Sequence, residues 1–221
     1  MLFIFDMGGV VTNTFYIEKV LDKLHISKDE FLGICEQTEI NIWNQLQTGK
    51  ITTEGFWREF SKRISYVQRA SLDGLVKIGT KIKFSTESTF SDVPEIKTDL
   101  FRLCFHPELN KKTVEIIENL KKKHRVVCGT NTMDSHWETH MERGDYSYFH
   151  QTYASNKIGF AKPDPEFFKI IMEAEEVTDP SQVFFTDDKL SNCEAAESVG
   201  INAVHFQTAE DLEKKWKQYY N

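Results

Sequence analysis

The chain has 221 residues, 40% of them drawn from Ala, Val, Ile, Leu, Met, Phe, Trp, Tyr and Cys. That length and composition can bury a core without disulfide or metal staples, and they exclude a disordered polymer. The 34 Asp and Glu outnumber the 27 Lys and Arg for a net charge of −7, which excludes a nucleic-acid grip built on phosphate neutralisation and leaves room for a local anion site.

Leu2-Phe3-Ile4-Phe5 is a short apolar run without alternation, followed by Asp6, Gly8 and Gly9, and it predicts a strand buried on both faces that ends in a loop. The run is too short for a secretory signal and lacks a basic leader. No stretch approaches the ~20 apolar residues that cross a bilayer. A cytoplasmic protein with no membrane or nucleic-acid partner is expected, and nothing in the sequence separates a monomer from a homodimer.

Residues 15–24, 28–47 and 53–64 carry Phe, Leu, Ile and Trp at helical spacing, with Gly49 as a break and Thr52 or Thr53 as a helix start. Trp43, Phe56, Trp57 and Phe60 read as core residues of these helices. Residues 78–92 alternate and then turn polar, which predicts an extended excursion or small hairpin. The stretch 13–106 is thus expected to be a mostly helical insertion after the first strand.

Beyond it the pattern becomes regular. Pro107 stands at an expected first helical position, ahead of Val114, Ile116, Ile117 and Leu120 and the cationic end Lys121-Lys122-Lys123. Apolar strands then end in polar turns at Thr130-Asn131 and at Asp187-Asp188, with further strands expected at 151–155 and 201–205. Helices are expected over Pro165 to Ala174, over Ser191 to Val199 closed by Gly200, and over 208–219 opening with Thr208. Alternation of this kind predicts an α/β fold: a doubly wound parallel sheet in three layers, with helices on both faces.

In an open parallel sheet, ligands bind beyond the carboxyl ends of the strands. Asp6, Thr130-Asn131 and Asp187-Asp188 all stand at such ends. Carboxylates from two strands can share a Mg²⁺ ion, a hard cation that keeps places for phosphate oxygen and water. The hydroxyl and backbone N–H groups at Thr130 and Asn131 can hold phosphate oxygens. Lys162, beside Pro163, can offset the charge of both nucleophile and phosphate.

Other candidate sites fail on their spacing. His136 and His140 lie four apart on an expected helix, but Trp137 follows His136, so a His-Glu-x-x-His zinc site is absent and packing is the expected role. Cys128 has Asp134 where a cysteine phosphatase loop needs Arg, and Asn44 stands where a nucleotide-binding loop ending in Gly49-Lys50 needs Gly. Cys35, Cys104, Cys128 and Cys193 form no C-x-x-C pair and are expected to be free thiols.

The segments FIFDMGGVVT (3–12), VVCGTNT (126–132), GFAKPDPEFF (159–168) and VFFTDDKLSNCEAAESVGI (183–201) resemble the four ordered motifs of the haloacid dehalogenase-like hydrolases. The likeness is to the subgroup with a helical cap inserted after the first motif, and TGKITTEGFW (48–57) is similar to a piece of such a cap. The resemblance implies a core domain over 1–12 and 107–221 and a cap over 13–106 that closes over the crevice. It implies that Asp6 is the nucleophile that becomes phosphorylated, and that Thr130, Asn131 and Gly9 bind phosphate. Lys162 orients and neutralises. Mg²⁺ is held by Asp6, the Gly8 carbonyl and Asp187, with Asp188 in support.

The reaction implied is hydrolysis of a small phosphorylated metabolite. Phosphatases of the family usually carry a second Asp two positions after the nucleophile, as general acid and base, where this chain has Gly8. A sugar 1-phosphate, whose anomeric oxygen is a less basic leaving group, fits that departure. Three alternatives share the fold: a dehalogenase, a phosphonate hydrolase using Lys50 as a Schiff base, and a catalytically silent binding or regulatory protein. The charge adds a constraint. Residues 13–106 hold 13 basic and 13 acidic side chains, so the whole −7 falls in the remainder, a poor host for phosphate until a cation enters it.

Overall fold

Four apolar residues in succession have no polar face to offer water, and Leu2–Phe5 accordingly forms the central strand, β1, of a five-stranded parallel sheet. The computed structural model describes residues 1–72 and 96–220, and the excursion expected over 78–92 lies outside them. The other strands are β2 (Arg125–Thr130), β3 (Gln151–Ala154), β4 (Val183–Asp187) and β5 (Asn202–His205), in the order β3-β2-β1-β4-β5. The chain builds outward from β1 to one side and returns to build outward on the other, so the order reverses at β1. That is the place where a doubly wound sheet opens a crevice.

Strand alternation divides the core into two. Phe3, Phe5, Val126, Cys128, Phe184 and Val204 share one cluster with Val114 and Ile117 of the helix Lys111–Lys121 and with Leu212 and Trp216 of the helix Ala209–Tyr220. Trp216 presents its indole edge-on to Phe5 and Phe184, each at 5.0 Å between ring centroids. Leu2, Ile4, Val127 and Phe185 pack on the opposite face against Phe167, Phe168 and Ile171 of the helix Pro165–Ala174 and Cys193 and Ala196 of the helix Leu190–Ser198. This is the expected three-layer α/β arrangement.

One helix start differs from expectation. Pro107 lies outside the helix, which begins at Lys111 after Asn110, whose side chain accepts from the Thr113 N–H. The intervening residues pair with the first loop instead: Leu109 bridges Thr12, and the Asn110 N–H donates to the Val11 carbonyl at 2.8 Å. A favourable first-turn proline yields there to backbone pairing.

The chain divides into two compact units, one of Met1–Phe15, Gln47–Gly49 and Phe105–Asn221 and the other of Tyr16–Leu46 and Lys50–Cys104. Asn13 is tied to the sheet-bearing unit by its N–H, which donates to the Glu108 carbonyl at 3.0 Å, and by its side-chain oxygen, which accepts from the Glu108 N–H at 2.7 Å. In the helical unit, Phe31, Phe56, Phe60 and Phe101 are fully buried and Trp57 nearly so, with Trp43 packed edge-on against Phe31 and Phe56. The helix expected over 28–47 is two, Lys28–Cys35 and Ile42–Gln47. Arg63 holds the turn between them, donating to the carbonyls of Ile34, Cys35 and Ile40.

Candidate active site

Asp6 follows β1 directly, and its N–H donates to the Thr186 carbonyl at 2.9 Å, which carries the strand register one residue further and sets Asp6 beside Asp187, the last residue of β4. Lys162 reaches the same point from the loop that precedes the helix Pro165–Ala174. Its side chain is 1% exposed, and its ammonium donates to Asp6 Oδ1 at 2.8 Å, to the Gly129 carbonyl at 2.8 Å and to Asp187 Oδ2 at 2.6 Å. An ammonium has three N–H groups, so all of them are committed.

The two adjacent aspartates divide their work. Asp187 Oδ1 accepts from the Lys189 N–H at 2.8 Å, and Oδ2 accepts from Asn192 at 3.0 Å as well as from Lys162. Both its oxygens are therefore met by protein donors. Asp188 Oδ2 accepts from the Thr14 hydroxyl at 3.4 Å, while its Oδ1 is buried with no hydrogen-bond partner. Gly9 makes room for this carboxylate: it sits at φ +83°, and a Cβ there would strike the Asp188 side chain.

Three carboxylates thus face one ammonium. Burial pushes Asp6 up to about 7, repulsion from Asp187 adds to this, and the Lys162 charge opposes it. Asp188 is raised by burial and then by Asp187. Asp187 moves the other way: burial would raise it, but the Lys162 charge and the bonds from Lys162, Lys189 and Asn192 hold it below the usual carboxylate range. For Lys162, burial favours the neutral amine, yet the two carboxylates against it outweigh that and keep it charged.

The donor set fits a hard divalent cation. Oxygen atoms of Asp6, Asp187 and Asp188 lie within 4.8 Å of one another, and the unpartnered Asp188 Oδ1 is a buried acceptor among them. The turn after β1 closes through the Gly9 N–H to the Thr12 carbonyl and the Val11 and Thr12 N–H groups to the Met7 carbonyl, and these bonds leave the Gly8 carbonyl unused. A Cβ at Gly8 would meet nothing within 4 Å.

Of the other residues singled out in the sequence, Thr130 ends β2 one position past Gly129, which continues the register opposite Asp6, and it is buried. The side chain of Asn131 is bonded to the backbone of Lys162, which leaves its backbone N–H for an anion. His136 stacks on Phe105 at 3.8 Å between centroids, and His140 Nδ1 bonds Asp145 Oδ2 at 2.8 Å, so both histidines serve packing. All four cysteines are free and buried. Burial pushes the Cys128 thiol well above its ordinary range, which disfavours the thiolate that a nucleophile needs. Lys50 is exposed on the helical unit. Sequence reasoning missed Asn192 and Thr14, although Asn192 lies inside the fourth matched segment.

No helix among the described residues is long and apolar enough to cross a membrane. The chain is similar to the sesquiterpene phosphatase astK of Aspergillus oryzae, 27% identical over 207 residues that cover 91% of this chain and 87% of that protein. It is also 22% identical to the drimenol cyclase drtB of Aspergillus calidoustus over 79% of this chain, which spans only 29% of that longer protein. Among solved structures, the HAD family enzyme bt-2542 from Bacteroides thetaiotaomicron superposes with a TM-score of 0.65 at 23% identity, over 99% of this chain and 97% of that one. The same enzyme in complex with magnesium and inorganic phosphate superposes with a TM-score of 0.62 at 22% identity, over 93% of each chain. The family model for haloacid dehalogenase-like hydrolases matches residues 1–200, and the chain belongs to that family of hydrolases.

Proposed function

We propose that the chain is a Mg²⁺-dependent phosphatase that forms an aspartyl-phosphate intermediate on Asp6. The observation that carries this reading is the junction of Asp6, Lys162 and Asp187 at the carboxyl edge of the sheet, with the unpartnered Asp188 oxygen beside it. Support also comes from the relative named as a sesquiterpene phosphatase and from the magnesium and phosphate bound in the B. thetaiotaomicron structure.

The Asp6 carboxylate attacks phosphorus and the bond from phosphorus to the leaving oxygen breaks. Water then attacks the acyl phosphate, inorganic phosphate departs, and Asp6 is restored. Lys162 offsets part of the rise that burial and Asp187 impose on Asp6, and fixes its direction of attack. Thr130 and the Asn131 N–H bind the phosphoryl oxygens. Mg²⁺, when bound, neutralises phosphate charge and makes the phosphorus more electrophilic. Its ligands would be Asp6, the Gly8 carbonyl and Asp187, whose Oδ1 accepts only the Lys189 N–H and keeps a lone pair, with the unpartnered Asp188 oxygen in support.

The substrate is a small phosphorylated metabolite whose leaving oxygen departs without enzymatic protonation. Lys162 has no proton to spare, and position 8 carries no side chain. A sugar 1-phosphate meets that requirement through its anomeric oxygen; an isoprenoid phosphate is the second candidate, on the strength of the fungal relative. A dehalogenase has no use for the carboxylate cluster.

The test is release of inorganic phosphate, with Mg²⁺, from a panel of sugar 1-phosphates, sugar 6-phosphates and isoprenyl phosphates. Asp6→Asn is expected to abolish release. Release that survives this substitution overturns the mechanism, and a wild-type protein silent on the whole panel shifts the reading to a binding protein.

A further inference from the structure

Lys162 occupies an unfavourable place from which to aim an ammonium at three acceptors. It lies on the short link between the helix Ser155–Ile158, which ends at Gly159, and the helix Pro165–Ala174, so no strand fixes its backbone. Both of its backbone polar atoms are instead met by one side chain from another strand end. Asn131 Nδ2 donates to the Lys162 carbonyl at 2.7 Å, and Asn131 Oδ1 accepts from the Lys162 N–H at 2.8 Å. The orientation of the amide follows from chemistry, since an N–H requires the oxygen and a carbonyl requires the NH₂.

Asn131 is itself anchored. On one side stands Thr130, in register with Ala154 of β3. On the other, the Thr132 N–H donates to Ser155 Oγ at 2.9 Å, and the Ser155 hydroxyl donates back to the Thr132 carbonyl at 3.2 Å. Asn131 therefore transfers the frame of the sheet to the link that bears Lys162.

We propose that Asn131 is a positioning residue, whose side-chain amide holds the backbone of Lys162 in register with β2 so that the ammonium meets Asp6 and Asp187, and that this side chain does not bind the phosphoryl group. The effect on catalysis rests on the phosphatase reading; the effect on Lys162 does not. Misplacing a catalytic group by about 1 Å costs on the order of 10²-fold in rate.

The experiment is a double-mutant cycle read with p-nitrophenyl phosphate and Mg²⁺, beside acylation of Lys162 by an amine reagent followed by mass spectrometry. Asn131→Ala is expected to lower kcat roughly 10²-fold with KM nearly unchanged, and to cost nothing further in a Lys162→Ala background. Losses that multiply in the double variant, or an unchanged kcat in Asn131→Ala, overturn the proposal. In the wild type, Lys162 should acylate far more slowly than the exposed Lys62, and Asn131→Ala should accelerate it several-fold while Cys128 stays inert to a thiol reagent. Unchanged acylation overturns the proposal even if the wild type hydrolyses nothing, a result that would defeat the phosphatase reading alone. If Asn131→Ala exposes Cys128, Asn131→Asp is read by the same two measurements, since it keeps the acceptor for the Lys162 N–H and loses the donor to the Lys162 carbonyl.

Discussion

Among the described residues, each of the two units buries one long cationic side chain, and they solvate it in opposite ways. In the sheet-bearing unit, Lys162 meets two carboxylates and one carbonyl. In the helical unit, Arg63 is 7% exposed and spreads its guanidinium over the carbonyls of Ile34, Cys35 and Ile40 and the Thr38 hydroxyl, with the partly exposed Glu59 as its charge partner. The planar fork of Arg63 suits a ring of carbonyls, which supply dipoles but no titratable charge. The compact ammonium of Lys162 suits a point where carboxylates converge, and those carboxylates carry more negative charge than it can cancel. A buried cation alone therefore does not mark a site. An excess of buried anion around it does, because only a ligand from outside can relieve that excess.

The sharpest way to break this comparison is to remove each charge while keeping the stem. Lys162→Met should reduce phosphate release by roughly 10²–10³-fold, the scale of a lost electrostatic stabiliser, and it should leave Asp6 and Asp187 repelling each other in the metal-free protein. Arg63→Met should lower unfolding stability by about 3 kcal/mol, as several buried carbonyls lose their donor, with kcat per folded molecule within about twofold of wild type. Chemical denaturation and steady-state kinetics on both variants check this. If Arg63→Met loses activity in proportion to Lys162→Met, the contrast between the two cations is wrong.

Gly8 offers a change in the opposite direction. A Cβ there meets nothing within 4 Å, so an aspartate can be introduced without displacing a neighbour. General acid–base help contributes roughly 10²–10⁴-fold in natural enzymes, and a transplanted group captures part of it. Gly8→Asp is expected to raise kcat on simple alkyl phosphates by about 10-fold or more, with little gain on a sugar 1-phosphate whose leaving group needs no proton. Equal gains on both substrates would show that leaving-group basicity is not what limits the wild type.

The elements of this site that were legible in the sequence are those governed by topology. Parallel strands bring their carboxyl ends to one edge, so Asp6, Thr130 and Asp187 could be placed together from apolar runs ending in polar residues. Lys162 entered through its motif rather than through any periodicity. The direction of a side chain after a strand ends was not legible. Whether Asp187 or Asp188 keeps a free oxygen depends on Gly9, Thr14 and Asn192, which lie 179, 174 and 5 residues away from the aspartate they contact. Arg63 was equally silent, since nothing in a helix containing Arg58, Lys62, Arg63 and Arg69 tells which one turns inward. Its choice also bears on why 28–47 is two helices, for it binds the carbonyls of Ile34 and Cys35 at the end of the first and that of Ile40 in the turn that follows.

Protonation provides the smallest test, and its sign distinguishes an over-anionic site from a neutral one. In the metal-free folded protein Asp6 holds its proton up to about 7, against 3.8 for an ordinary aspartate. The stability that this proton confers is fully present below about pH 4 and is lost as pH rises through 7, at a limiting slope on the order of 1 kcal/mol per pH unit. A divalent cation replaces that proton, so at low pH it must compete for the carboxylate and at high pH it need not. The rise in melting temperature caused by millimolar Mg²⁺ should therefore be small at pH 5.5 and larger at pH 8, by a few degrees for a gain of about 1 kcal/mol. Asp188→Asn should weaken the Mg²⁺ effect at both pH values, because it removes the charge of the unpartnered carboxylate from the cluster while leaving the Lys162 junction in place. A Mg²⁺ shift that is equal at the two pH values, or larger at pH 5.5, would mean that Asp6 is already ionised in the metal-free site. Lys162 would then balance its carboxylates as completely as the carbonyl ring balances Arg63.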